Sequence, residues 1–170
     1  MKHLFLIRHA KSSWSNPVLS DFERPLNKRG KRDAPFMGKR LATIDPRPDC
    51  IISSPARRAR KTARAVGAEI GFSKKDIILE DELYTFSAHN IIEILKRTSD
   101  SIQTLALVGH NHGITECGEY LSGERLDNVP TCGIVLIQFD CKRWEHIGPE
   151  SGRLLMFDYP KLHADSGSSI

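Results

Sequence analysis

Nowhere in the 170 residues do about 18 consecutive apolar side chains occur, so the sequence has no stretch long enough for an ordinary transmembrane helix. The longest apolar run near the start, Leu4 to Ile7, is cut off by Arg8, His9 and Lys11, well short of the roughly 7–15 residues of a secretory leader. No membrane association and a cytoplasmic location are therefore expected. Cysteine is sparse: Cys50, Cys117, Cys132 and Cys141 form no CxxC pair, so neither a zinc knuckle nor a disulfide framework is indicated, and all four read as reduced thiols. An excess of one charge is also missing. Lys and Arg total 25 against 21 Asp and Glu, a formal net charge of +4, which suits phosphate better than bulk DNA. Aromatics make up 7%, and no aromatic platform accompanies the basic run Arg57, Arg58, Arg60, Lys61 and Arg64, so nucleic acid is not an expected partner.

What is present is the composition of one soluble globular domain, 39% hydrophobic and 27% charged with 12 Gly and 9 Pro. Residues 1–160 read as that domain and 161–170 as a polar tail whose end, DSGSSI, reads as a frayed terminus. No internal repeat or linker is visible, and a monomer is expected. Short apolar runs at Lys2–Ile7, Cys50–Ser53, Ile77–Leu79, Thr104–Val108, Gly133–Phe139 and Leu154–Phe157 predict strands. Helical spacing appears in Gly30–Leu41, with Ala34, Met37 and Leu41 on one side and Pro35 required in the first turn. It recurs in Pro55–Ile70, which Gly71 would stop, in Ala88–Lys96 behind a Ser87 cap, and in Ile114–Leu121. Ser12 to Asn27, holding Pro17 and Pro25, reads as a loop. Strands alternating with helices predict a three-layer α/β/α fold around a mostly parallel sheet.

In such a sheet, sites gather at the C-terminal ends of strands. The two strongest predicted strands end in Arg8-His9 and Gly109-His110-Asn111, while Ser53-Ser54-Pro55-Ala56-Arg57-Arg58 leads into a helix whose N-terminus favours anions. Three segments thus supply an anion pocket containing imidazoles. The runs LIRHAKSSW (Leu6 to Trp14), SSPARRARKTA (Ser53 to Ala63) and VGHNHG (Val108 to Gly113) resemble the histidine phosphatase superfamily, the branch of phosphoglycerate mutases and acid phosphatases. RPLNKRGKRDA (Arg24 to Ala34), LYTFSA (Leu83 to Ala88) and PTCG (Pro130 to Gly133) resemble its SixA-type phosphohistidine phosphatases. The resemblance implies His9 as nucleophile, Arg8 and Arg58 as phosphate-gripping arginines, and His110 as a donor to a phosphoryl oxygen, most effective when protonated. Arg57, the neighbour of Arg58, would point about 100° away on a helix. Substrate-binding candidates are Lys11, Ser12, Arg24, which Asp21 could orient, and Asn111 as a further donor.

A neutral imidazole suits the nucleophile because His titrates near about 6.5 and carries a lone pair, provided one ring nitrogen is held as a donor by a backbone carbonyl. Related mutases and acid phosphatases place a carboxylate acid after the third strand, but this chain reads Leu83-Tyr84-Thr85-Phe86-Ser87 there, with Glu80, Asp81 and Glu82 just upstream. Loss of that acid favours phosphohistidine, whose imidazole leaves readily, over a phosphoester. His112 makes an HxH with His110, but no further ligands are identifiable, so neither metal nor cofactor is implied and His112 is read as lining the leaving-group side. The expected partner is a phosphorylated protein of the histidine-phosphotransfer type. A small-molecule phosphomonoesterase with the same nucleophile and a non-catalytic phospho-residue binding module are the alternatives.

Overall fold

The computed structural model describes residues 1–167. Its strands are β1 (Lys2–Arg8), β2 (Cys50–Ser53), β3 (Ile78–Leu79), β4 (Thr104–Gly109), β5 (Ile134–Phe139) and β6 (Gly152–Asp158); its α-helices are α1 (Lys28–Leu41), α2 (Arg57–Glu69), α3 (Ala88–Lys96) and α4 (Gly113–Ser122). The strands form one six-stranded sheet in the order β3-β2-β4-β1-β5-β6. All but β5 run in the same direction, since β5 pairs antiparallel with both β1 and β6. Helices cover both faces, as the alternation of predicted elements required.

Side-chain alternation along the strands builds two cores. Leu4, Leu6, Leu105, Leu107, Val135 and Ile137 face one side, against α3, α4 and the fully buried Trp144. Phe5, Ile7, Ala106, Val108, Ile134 and Leu136 face the other, against Ala34, Met37 and Leu41 of α1 and Ala59, Ala63 and Val66 of α2. Full burial of each large apolar side chain contributes about 1.5–3 kcal/mol of transfer free energy. Lys2 is the exception inside: its buried ammonium donates to the carbonyls of Asp100 at 2.6 Å and Ile102 at 2.8 Å, which compensates its lost hydration.

Some local expectations need correction. Pro35 lies two turns inside α1 rather than in its first turn, because the helix starts at Lys28 behind Asn27, whose Oδ1 accepts from Gly30 N–H at 2.9 Å. Packing of Ala34, Met37 and Leu41 against α2 carries the helix through it. Ser87 does occupy the cap position of α3, yet its hydroxyl makes no capping bond. The 161–170 segment is not uniformly a tail, since a 3₁₀ helix runs over Pro160–Gly167 and His163 there meets Asp158 at 2.6 Å and the ring of Phe36. The rest of the expected frayed end, 168–170, lies outside the described residues. Among the described residues no helix is long and apolar enough to cross a membrane.

Candidate active site

Register in the sheet brings the chemistry together. β1 and β4 pair in parallel with Arg8 opposite Gly109, so the next residue of each, His9 and His110, emerge side by side with ring centroids 5.2 Å apart. Beyond β2, Ser54 N–H bonds the Val108 carbonyl, which sets the start of α2 and its Arg58 against the same edge. A cavity of about 340 Å³ results, lined among others by Arg8, His9, Arg58 and His110 at its base and by Lys11, Ser12, Trp14 and Arg24 from the loop after β1. Asp21, Phe86, Asn111 and Thr131 complete its wall.

His9 is held in one orientation. Its Nδ1 lies 2.7 Å from the Ala10 carbonyl oxygen, which can only accept, so Nδ1 carries the hydrogen and the lone pair belongs to Nε2. The Ala10 peptide is itself anchored: its N–H donates to Thr62 Oγ1 at 2.9 Å, and that hydroxyl donates to the Arg58 carbonyl at 2.8 Å. The backbone of His9 is pinned on both sides, N–H to Gly109 O and carbonyl to Cys132 N–H. Gly30 permits the approach of α1 to this turn, since a Cβ there would overlap the Lys11 carbonyl oxygen. Burial, reinforced by the positive charge of Arg58 and Arg8, lowers the His9 pKa to about 3, leaving the ring neutral at physiological pH.

The arginines are preorganised. Arg8 donates to the Val129 carbonyl at 3.0 Å. Arg58, 2% exposed, donates to the Asp21 carbonyl at 2.7 Å and carboxylate at 3.0 Å, and reaches His110 Nδ1 at 3.4 Å. Both arginines keep a buried Nε–H that no acceptor among the described residues uses. Arg57, by contrast, turns to the Glu23 carbonyl and lies outside the cavity. Arg24 stacks on Trp14 with its guanidinium carbon 3.4 Å from the ring centroid, and bonds Ser12 Oγ at 2.8 Å and Asp21 Oδ1. Ser12 accepts that bond and retains its own O–H for donation.

Two expectations about donors change. His110 is not held as a cation: burial first, then the neighbouring Arg58, lowers its pKa to about 4, and Nδ1 faces Arg58 while Nε2 lies 2.8 Å from Ser54 Oγ. The Asn111 amide is not aimed at an anion, because its NH₂ donates to Asn128 Oδ1 and the Val129 carbonyl while its oxygen accepts from Thr115. That amide braces the loop whose Val129 carbonyl holds Arg8. His112 is exposed and does not line the cavity, and among the described residues no group of three or more His, Cys, Asp or Glu is placed to hold a metal ion.

Asp21 carries more of the site than its sequence suggested. Partial burial acts to raise its pKa, but the hydrogen bond from Tyr84 at 2.6 Å, the charge and hydrogen bond of Arg58 and the hydrogen bond from Arg24 bring it down to about 2. It is therefore a carboxylate bracing two guanidinium groups. Glu80 and Glu82 pair with Arg97 instead, and neither they nor Asp81 line the cavity. Thr62 was legible only as a hydroxyl inside a predicted helix, and Tyr84 only as part of the LYTFSA run.

Residues 4–91 match the histidine phosphatase superfamily (branch 1). The chain belongs to this superfamily. A chloroplastic protein of Arabidopsis thaliana is 33% identical over 161 residues, covering 89% of this chain and 72% of the relative. The solved structure of SixA from Agrobacterium tumefaciens superposes with a TM-score of 0.79 at 30% identity, covering 94% of this chain and 98% of that one. A protein histidine phosphatase SixA, solved with tungstate, gives the same TM-score at 20% identity over 94% and 98% of the two chains, a likeness of fold alone. Within the superfamily the chain is of the SixA type, with the phosphoglycerate mutase-like architecture, and is a phosphatase.

Proposed function

We propose that this phosphatase removes the phosphoryl group from a phosphohistidine of a partner protein of the histidine-phosphotransfer type, through a covalent intermediate on His9 and without a metal. The observation that carries this reading is the state of Asp21, the one carboxylate among the described residues lining the cavity, held ionised by Arg58, Arg24 and Tyr84. An alkoxide needs a proton as it leaves, and a carboxyl with a pKa of about 2 holds none to give at neutral pH. Imidazole needs no such donor, because a ring protonated at its other nitrogen departs as a neutral molecule.

In this reading His9 Nε2 attacks phosphorus in line as the phosphorus–nitrogen bond to the substrate ring breaks. Arg8 and Arg58 bind the equatorial oxygens, where negative charge spreads in the transition state. Ser54 completes His110: when its hydroxyl donates to Nε2, Nδ1 carries the hydrogen and a neutral His110 becomes a donor toward the anion. Because Ala10 retains the Nδ1 hydrogen, phosphorylated His9 is a cationic ring. Water then breaks the new phosphorus–nitrogen bond, neutral imidazole is the leaving group, and the water's surplus proton passes to solvent. Lys11, Ser12 and Arg24 hold the substrate at the mouth.

The test compares turnover of a phosphorylated histidine-phosphotransfer domain with that of glycerol and sugar phosphates, using wild type and His9→Ala. The reading requires the phosphohistidine to be the faster substrate and His9→Ala to be inactive. Faster release from an unactivated ester overturns it in favour of a small-molecule phosphomonoesterase. No turnover of any of them by wild type would leave a binding module.

A further inference from the structure

Arg24 and Arg58 line the catalytic cavity, whereas Pro25 and Arg57, their neighbours in the chain, line a second depression. This groove of about 340 Å³ has Lys31 of α1 and Arg57 and Lys61 of α2 around a floor that includes Pro25, Leu26 and Ala34. Lys31 and Lys61 are exposed and Arg57 is half-buried. Among the described residues no carboxylate lines the groove. Of the acids on the adjoining segments, Asp33 pairs with Arg29 and Arg32 and Asp21 with Arg24 and Arg58, while Glu23 meets Arg57 through its backbone carbonyl.

Nothing in the proposed chemistry uses these three cations. Among the described residues none of the three has an ion-pair partner, and positive charges around apolar contact area complement a segment that carries both acidic and apolar side chains; such complementarity acts mainly on encounter and register. The groove is also only one peptide link from the catalytic cavity at two places, Arg24-Pro25 and Arg57-Arg58, so one protein surface can reach both. We infer that the α1–α2 groove docks an acidic, amphipathic segment of the same partner whose phosphohistidine enters the cavity; this rests on the phosphoprotein substrate proposed above. A small phosphorylated compound fills the cavity alone and does not touch the groove.

The test uses Lys31→Glu/Lys61→Glu, at two exposed positions where substitution leaves the fold intact, with a phosphorylated histidine-phosphotransfer domain and phosphoimidazole as paired substrates. Reversing both charges is expected to raise KM for the phosphoprotein on the order of tenfold and to flatten its dependence on salt, while kcat/KM for phosphoimidazole stays unchanged. Unchanged KM for the phosphoprotein, or an equal loss on both substrates, overturns the inference. Should wild type hydrolyse phosphoimidazole but not the phosphoprotein, the proposed substrate fails. Fluorescence anisotropy with a labelled peptide of Glu and Leu then decides the groove separately. Tighter binding to wild type than to the double variant supports it, and equal binding overturns it.

Discussion

Replacing Thr62 by Val tests how the nucleophile is aimed. The two side chains are nearly the same shape, so the fully buried site keeps its packing and loses only the hydroxyl that accepts from Ala10 N–H at 2.9 Å and donates to the Arg58 carbonyl. The Ala10 N–H is then buried without an acceptor, at a cost of about 1–3 kcal/mol. In a domain of this size each kcal/mol lowers the melting midpoint by about 2–4 °C. The functional effect is distinct from this loss, because the same peptide carries the carbonyl that fixes His9 Nδ1–H at 2.7 Å. When that peptide rotates, fewer His9 rings present the Nε2 lone pair in line, and a misplacement of this kind costs between about 10-fold and 100-fold in kcat. Arg8 and Arg58 keep their other partners, so KM should hold. Thermal denaturation with steady-state and single-turnover kinetics separates the effects, and Thr62→Ser should restore both. Wild-type kcat in Thr62→Val, or a rise in KM with kcat unchanged, would refute the reasoning.

With pKa values of about 3 for His9 and about 4 for His110, both rings stay neutral in the folded enzyme while the unfolded chain protonates them near about 6.5. The unfolded state binds more protons in that window, so stability should be constant above about pH 6.5 and fall as pH drops toward 4, as read by denaturant titration. Over pH 5 to 8 kcat/KM, corrected for ionisation of the substrate, should show no inflection from the enzyme near 6.5. Asp21→Asn removes the charge between Arg58 and Arg24; its lowered pKa corresponds to about 2 kcal/mol, which solvent screening of a 42% exposed side chain reduces to about 1 kcal/mol. That difference between wild type and variant should be present above about pH 4 and vanish as pH falls through about 2. Gly30→Ala forces a Cβ into the Lys11 carbonyl and should displace the loop carrying Lys11 and Ser12, raising KM for a phosphorylated substrate about tenfold. Unchanged kinetics with an unchanged melting midpoint would contradict that account.

The base of the site was legible because residues that must end strands are easy to locate. The apolar runs that became β1 and β4 stop at Arg8 and Gly109, and their parallel register places His9 beside His110. Arg58 was picked out by the superfamily resemblance, and helical spacing added only that Arg57 would point about 100° away, toward what proves to be the Glu23 carbonyl. Strand direction was less accessible: the run Ile134–Phe139 is as apolar as a parallel strand, and only its connection makes it antiparallel to β1. Asp21 reaches Arg58, and Tyr84 reaches Asp21, across long sequence separations that no periodicity encodes. Asn111 misled because donor chemistry does not tell which way an amide is turned, and here Asn128, Val129 and Thr115 satisfy it.

In the proposed reaction a phosphoryl group passes from another protein's imidazole to His9. Mixing the enzyme with a histidine-phosphotransfer domain carrying labelled phosphohistidine, quenching within milliseconds and mapping the acid-labile phosphate tests it most directly. The expected result is transient label on His9, absent in His9→Ala, and release of inorganic phosphate at the rate the label decays. Phosphate released with no label ever reaching His9, or label settling on another side chain, would contradict it.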